Sequence, residues 1–385
     1  MKAILEKIAY YADQHYESAK DWKAAHEGGK VVGILPMHFP AEIFHAAGAM
    51  PILLQEGPDA VTVGHSYMFP YYCGFTRSVA DQAAKGELDF IDEFVAGSGA
   101  SSVQGLCVQD VLKAIFPKKA IDTKELIAFM SDPWTKESVI DTFTKNKENV
   151  EKVTGNKVTD EGLRNSIRLY NKGRALMREL YQMRREGNAA LSPMQMQDIV
   201  KSSMVMDKEE HNALLEELVP KVRANKVNRD ERLLPVFLSG HMCQAAKADI
   251  LRLVGDAGGV AVDDDLYHGW RYIVQDVAEH AEDPIEALAQ AYLDKNKACP
   301  CPTRVEPATN WELTLLNAVK VCGAKGLIIL QAKYCEPHMF YYAEIKENFE
   351  KAGIPHLLLE TEHEVVSMEG MRTRIESFIE SFRGM

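Results

Sequence analysis

The spacing of apolar positions changes period twice along the chain. Near the N-terminus Ile4, Leu5, Ile8, Tyr11 and Ala12 recur at helical spacing, so residues 1 to about 25 are expected to form one amphipathic helix. Val31 to Leu35 is a short apolar run closed by Pro36 and reads as a strand. Pro40 opens a helix through Glu42 and Ala46 that ends near Gly48, and Met50 to Leu54 is the next strand. A helix from about Thr76 to Lys85 stops at Gly86. A strand at Phe94 to Gly97, a helix from Val103 to Phe116 and a strand candidate at Ile127 to Met130 follow. Alternating strand and helix predict a parallel α/β unit.

From about Thr135 to Asn228 glycine becomes sparse and charge dense. Helical stretches such as Gly162 to Arg185 dominate, with Leu163, Ile167, Tyr170, Met177 and Leu180 on one broad face. The segment reads as a helical connector whose charged face is solvated and carries no chemistry. The α/β rhythm then resumes, with strands at Leu234 to Ser239, Val260 to Val262, Gly326 to Gln331 and Pro355 to Glu360, and a last helix at Met368 to Phe382. The expected fold is α/β: two Rossmann- or flavodoxin-like parallel-sheet domains with a helical insert. The boundaries are 1–134 for the N-terminal helix and first α/β domain, 135–230 for the connector and 231–385 for the second α/β domain.

At 385 residues the chain is long for a single core, which agrees with two or more domains. No run of about 18 apolar residues is present, so no membrane span is expected. The net charge of −12, without a cluster of Lys and Arg, argues against nucleic-acid binding. The N-terminus turns charged at once and has no apolar signal core, so a cytoplasmic location with reduced thiols is expected. In that setting seven cysteines, an odd number, read as candidate ligands and not as a disulfide framework.

Cys73 lies in Tyr71-Tyr72-Cys73-Gly74-Phe75, Cys107 follows Gln104-Gly105-Leu106, and Cys335 sits in Lys333-Tyr334-Cys335-Glu336-Pro337. Cys107 and Cys335 fall at the carboxyl ends of expected strands, where open α/β sheets bind ligands. Glycine neighbours admit a bulky inorganic core, and helix N-termini stabilise thiolate charge. Singly, each also reads as a small buried core residue. Together they point to ligation of a metal or iron–sulfur cluster. Cys299-Pro300-Cys301-Pro302 is a stiff, extended segment with no second pair at zinc-finger spacing, so it reads equally as a reducible thiol pair or a buried turn. Cys243 sits at a strand-to-helix turn, and Cys322 reads as core. Asp263-Asp264-Asp265 could hold a divalent cation, but the commoner role is to cap the next helix and hold Arg271. His38 and Glu42 line the turn after the first strand, a weak catalytic signal. There is no G-x-x-x-x-G-K-[ST] loop, no G-x-G-x-x-G fingerprint after a strand, no G-x-S-x-G and no H-E-x-x-H, so neither ATP nor a dinucleotide is expected by those routes.

Taken in order, these motifs resemble the family of 2-hydroxyacyl-CoA dehydratase and class I benzoyl-CoA reductase subunits. The resemblance rests on Pro36-x-x-x-Pro40-x-Glu42 leading to Ala46-Ala47-Gly48-Ala49-Met50-Pro51, then Cys73, Cys107, Ser239-Gly240, Asp264 with Gly269 and Arg271, Cys335-Glu336-Pro337, Gly353-Ile354-Pro355 and Thr373-Arg374-Ile375-Glu376. It implies a [4Fe-4S] cluster held by Cys73, Cys107 and Cys335. It also implies a homologous larger subunit, an ATP-hydrolysing iron–sulfur activator, a ferredoxin-type electron donor and a CoA-thioester substrate. A related branch carries a double-cubane cluster on extra cysteines near the first strand and the Asp264 region. This chain has His38 and Asp264 to Tyr267 there, so a single cubane is expected, although Cys243, Cys299 and Cys301 resemble cysteines of that branch. The reading of the chain as a smaller, cluster-carrying subunit of a benzoyl-CoA reductase in anaerobic aromatic degradation follows from resemblance and size; a dehydratase subunit, or an electron-relay subunit that binds no substrate, is the alternative.

Overall fold

The computed structural model describes the chain apart from residues 98–101, 123–125, 127–128, 241–244, 305, 307–309, 365–366 and 383–385. Two four-stranded, all-parallel sheets organise it. The first contains β1 (Val31–Leu35), β2 (Met50–Leu53), β3 (Glu93–Ala96) and β4 (Ala120–Asp122) in the order β2-β1-β3-β4. The second contains β5 (Leu234–Gly240), β6 (Gly259–Asp264), β7 (Gly326–Ala332) and β8 (His356–Thr361) in the order β6-β5-β7-β8. Both follow one rule: the first strand lies inside, the second on its outer side, and the third and fourth beyond. The crossover reversal beside the first strand is where such sheets open a crevice at their carboxyl ends. Pro51 is tolerated within β2 because that strand is an edge. Gly240 ends β5 with φ +106°, and a methyl group there would land on the Leu330 carbonyl oxygen of β7, so only glycine fits.

The eight strands lie close to where the apolar runs place them, with one exception. The candidate at Ile127 to Met130 falls partly outside the described residues, and the fourth strand of the first sheet is Ala120–Asp122. The single expected N-terminal helix is two, α1 (Lys2–Asp13) and α2 (Glu17–Ala25). The break lets α1 bury Ile4, Leu5 and Ile8 among connector helices while Tyr16 and Ala19 turn toward the first sheet. Tyr16 fixes the bend by accepting from the Gln55 amide at 3.1 Å.

The helical connector comprises α6 (Thr135–Thr154), α7 (Asp160–Arg185), α8 (Pro193–Ser203) and α9 (Lys208–Ala224). α7 starts where Thr159 accepts from the Gly162 amide, with Asp160 and Glu161 in its first turn and Arg184 and Arg185 in its last, both favourable to the helix dipole. Its apolar stripe is buried as expected: Leu163 and Ile167 pack with Val32, Ile34 and Val95 of the first sheet, while Met177 and Leu180 pack with α1, α8 and α9. Its charged side is not merely solvated. Arg174 pairs with Glu42 at 2.9 Å, Arg178 with Asp276 at 2.5 Å, and Arg185 with Asp263 at 2.7 Å, while Arg184 donates to the Ala261 carbonyl at 2.5 Å. The helix therefore packs its apolar stripe on the first sheet and ties its last turn to β6 of the second. A guanidinium can do this across several ångströms because its fork satisfies two acceptors at once.

Candidate functional site

The cysteine segments meet at helix starts. α4 (Gly74–Ala84) begins directly after Cys73, which occupies its N-cap position. α14 (Glu336–Lys351) begins after Cys335 in the same way, just past the carboxyl end of β7. Cys107 lies in the second turn of α5 (Val103–Ile115), which follows β3. Cys73 and Cys335 are thus placed at the positive ends of helices.

Gln104 brings the segments together. Its Oε1 accepts from the Cys73 amide at 2.6 Å, and its Nε2 donates to the Tyr334 carbonyl at 2.9 Å. One side chain on α5 therefore holds the backbone at Cys73 in one half and at Cys335 in the other. Gln104 and Cys107 are three residues apart and share a helix face. The Cys107 thiol donates to the Tyr72 hydroxyl at 3.3 Å, so Tyr72 and Gln104 link the Cys107 helix to the Cys73 turn twice. Thr76 Oγ1 lies 3.4 Å from the Cys73 sulfur and donates to the Cys73 carbonyl at 2.9 Å. Tyr334, next to Cys335, has φ +65°, a left-handed conformation unfavourable for a side chain of this size. The Gln104 bond to its carbonyl helps to hold it there.

A second tie joins the same two halves. Arg77, one turn into α4 and 3% exposed, donates to the Tyr72 carbonyl at 2.9 Å, to Glu362 at 2.6 Å and to Glu364 at 2.7 Å. His363 lies between those two glutamates and pairs with Glu56. Tyr67, Phe69 and Tyr71 ahead of Cys73, and Met339 and Phe340 after Cys335, are exposed around this junction.

Burial pushes the Cys335 thiol up to about 12, and the neighbouring Cys73 sulfur raises it further; burial also raises Cys73. Cys73 and Cys335 are therefore near enough to feel each other's charge. Left to themselves both are neutral thiols, and a positively charged inorganic centre is what would hold them as thiolates. Among the described residues no three His, Cys, Asp or Glu side chains sit in a group able to chelate a single metal ion. A lone zinc would require its sulfurs to lie within about 4 Å of one another, given a zinc–sulfur bond of about 2.3 Å.

The remaining candidates resolve individually. The Asp263–Asp265 run is dispersed over different partners: Asp263 pairs with Arg185, Asp264 accepts from Tyr181 and the Trp270 amide, and Asp265 pairs with Arg271 and Trp311. Burial raises Asp264 to about 6. This is the capping and Arg271-holding arrangement, not a cation site. Cys299 and Cys301 are buried, and Arg271, itself 2% exposed, donates to the Cys299 and Pro300 carbonyls at 3.1 and 2.5 Å. Cys301 is near enough to Cys335 to raise it. Cys322 caps the end of α13 (Trp311–Val321) and packs with Leu316 and Ala318 at the rim of a core cluster. Cys243 lies outside the described residues. His38 and Glu42 line a cavity just past the carboxyl ends of β1 and β2, where Glu42 pairs with Arg174. Sequence reasoning missed Gln104, Arg77 and Arg304. The i, i+3 spacing of Gln104 to Cys107 was a usable signal, and so was the Cys-Pro-Cys-Pro turn just ahead of Arg304; Arg77 contacts residues too remote in sequence to be foreseen.

The family profile described as 2-hydroxyglutaryl-CoA dehydratase, D-component, matches residues 36–382. The (R)-phenyllactyl-CoA dehydratase beta subunit of Clostridium sporogenes is 25% identical over 99% of this chain and 97% of its own length. A benzoyl-CoA reductase subunit from Thauera aromatica is 25% identical over 97% of this chain and 96% of its own. The (R)-2-hydroxyglutaryl-CoA dehydratase beta subunit of Acidaminococcus fermentans is 25% identical over 99% of both. The chain belongs to the 2-hydroxyglutaryl-CoA dehydratase D-component family, whose members here are subunits of CoA-thioester dehydratases or reductases.

Proposed function

We propose that this member of the family is the cluster-carrying subunit of an enzyme acting on a CoA thioester, with Cys73, Cys107 and Cys335 holding a [4Fe-4S] cluster. The observation that carries the reading is the Gln104 bridge, which draws the Cys73, Cys107 and Cys335 segments to one junction. When bound, such a cluster supplies single electrons of low potential. The chain's residues do the rest. Helix N-termini at Cys73 and Cys335 offset thiolate charge. Arg77 favours the charged form of Cys73 and is itself held by two glutamates. Cys73 and Cys335 are half-buried, so a partner subunit docked over this junction would complete the exclusion of water that radical chemistry needs. The lack of a phosphate loop fits a separate ATP-hydrolysing iron–sulfur activator fed by a ferredoxin-type donor; a homologous larger subunit then completes the enzyme in the cytoplasm. Among the described residues no helix is long and apolar enough to cross a membrane.

Two reactions fit this chemistry. One is ring reduction of an aryl-CoA thioester to a cyclic diene, as the resemblance to a benzoyl-CoA reductase subunit suggests. The other is loss of water from a 2-hydroxyacyl-CoA, and the description of the matching family and two of the relatives above favour it. Anaerobic purification tests the common part: the expected protein is brown, with about four iron atoms per chain, and Cys73→Ala, Cys107→Ala and Cys335→Ala each lose the iron. A colourless, iron-free wild type refutes the reading. Product analysis with benzoyl-CoA and with a 2-hydroxyacyl-CoA, in the presence of partner subunit, activator and reductant, separates the reactions.

A further inference from the structure

A cavity of about 80 Å³, lined by none of the cysteines, lies just past the carboxyl ends of β1 and β2. Its lining includes Glu42, Arg174, Lys295 and Arg304, three cations against one carboxylate. Glu42 is committed to Arg174 at 2.9 Å. Among the described residues no carboxylate lies within ion-pair distance of Lys295 or Arg304. The charged groups that act on Lys295 are Arg304, Arg174, Arg271 and the Cys299 thiol. Arg304 is 4% exposed, its guanidinium lies over the Tyr292 ring at 4.1 Å, and its Nη2 is buried with no hydrogen-bond partner. His38 Nδ1, also on the cavity wall, is buried without a partner as well. A buried guanidinium nitrogen left unpaired costs free energy that nothing in the described protein returns.

The Cys299-Pro300-Cys301-Pro302 segment explains how the cation gets there. The Arg304 amide donates to the Cys301 carbonyl at 2.8 Å, so the stiff turn folds back and delivers Arg304 into the cavity. Arg271 pins the other side of the turn through the Cys299 and Pro300 carbonyls. The role of the two prolines is thus to aim a side chain. The cavity walls also carry the apolar side chains Phe39, Phe143, Val277 and Leu288.

We propose that this cavity binds a small organic monocarboxylate, its charged end held by Arg304 and Lys295 and its body against the apolar wall. A guanidinium with an ammonium beside it is a carboxylate receptor. An inorganic oxyanion such as phosphate suits the site less well than a carboxylate, because it offers nothing to pack against Phe39, Phe143 and Leu288, and an oxygen turned toward them would lose its hydrogen bond. Burial, with the nearby Arg304, lowers Lys295 to about 7, as expected of a cation held among others without an anion. The proposal is independent of the iron–sulfur reading.

Isothermal titration of the anaerobically purified full-length chain with benzoate, propanoate and inorganic phosphate tests it. One or both carboxylates are expected to bind with 1:1 stoichiometry, and phosphate is not. Arg304→Gln and Lys295→Gln are each expected to weaken binding by about ten-fold or more, the loss of one charge-assisted hydrogen bond. Arg252→Gln, on an exposed helix surface, leaves it unchanged. Circular dichroism checks folding, and if one variant fails to fold the other decides. Absence of carboxylate binding to the wild type, binding that survives in a folded variant, or equal binding of phosphate overturns the site. Iron is measured on the same samples: a colourless protein that binds carboxylate sinks the cluster alone, and a brown one that does not sinks this site alone.

Discussion

Gln104 offers the sharpest test of how the cysteine junction is held. Gln104→Leu keeps roughly the size of the side chain but removes both bonds, to the Cys73 amide at 2.6 Å and the Tyr334 carbonyl at 2.9 Å. Two neutral hydrogen bonds at about 1 kcal/mol each give a loss of about 2 kcal/mol. Gln104→Glu keeps the acceptor for the Cys73 amide and loses the donor to Tyr334, so half the loss is expected, with added repulsion toward any thiolate nearby. If the bridge positions the cysteines, the same 2 kcal/mol appears in cluster retention as a factor of about thirty. The assay is iron content during challenge with a graded chelator under anaerobic conditions. Gln104→Leu should give up its iron at a chelator concentration ten- to thirty-fold lower than wild type, with Gln104→Glu between the two or below both. Urea unfolding of the iron-free protein reports the structural part separately. Retention equal to wild type in Gln104→Leu, in a protein that still loads iron, would show that the bridge does not set the site and would refute the reasoning.

Other outcomes follow from charges buried at the same seams. Arg77→Met removes one partner from a buried network and leaves Glu362 and Glu364 close together and uncompensated, so urea unfolding should show a loss of about 3–5 kcal/mol; a loss below 1 kcal/mol would mean the network is solvated. Glu93, in the middle of the first sheet, is fully buried with both oxygens unpartnered, and burial, with Asp122 beside it, raises it to about 8 from an ordinary 4.5. Its folded-state affinity for a proton exceeds its unfolded one, so folding takes up a proton between those values and the stability linked to Glu93 falls as pH rises from about 4.5 to about 8. At pH 7 the penalty is on the order of 3 kcal/mol. Denaturation midpoints measured from pH 5 to 8 should therefore fall less steeply for Glu93→Gln than for wild type; parallel profiles would contradict the assignment.

Much of the scaffold was legible before any coordinates. Strand runs such as Val31–Leu35 and Gly326–Ala332 are buried on both faces, so they read as continuous apolar stretches between glycines and prolines. The cap at Thr159 and the stripe on α7 were equally local signals. The short strand Ala120–Asp122 was missed because three residues carry too little pattern, and the break between α1 and α2 because two different cores pull on one amphipathic run.

By itself the sequence determined the period of each element, the parallel α/β alternation and the chemical type of the candidate ligands, since these depend on residues a few positions apart. Only the tertiary structure decided which of them meet. Gln104 reaches residue 334, Arg77 reaches residue 364, and the arginines of α7 reach Glu42 just after β1 and Asp263 in β6, and such pairings depend on how crossovers close over long stretches of chain, which no local pattern encodes. The same holds for the proposed carboxylate site: Lys295 and Arg304 are ordinary cations along the chain, and only folding brings the half-buried Lys295 and the buried Arg304 to one cavity.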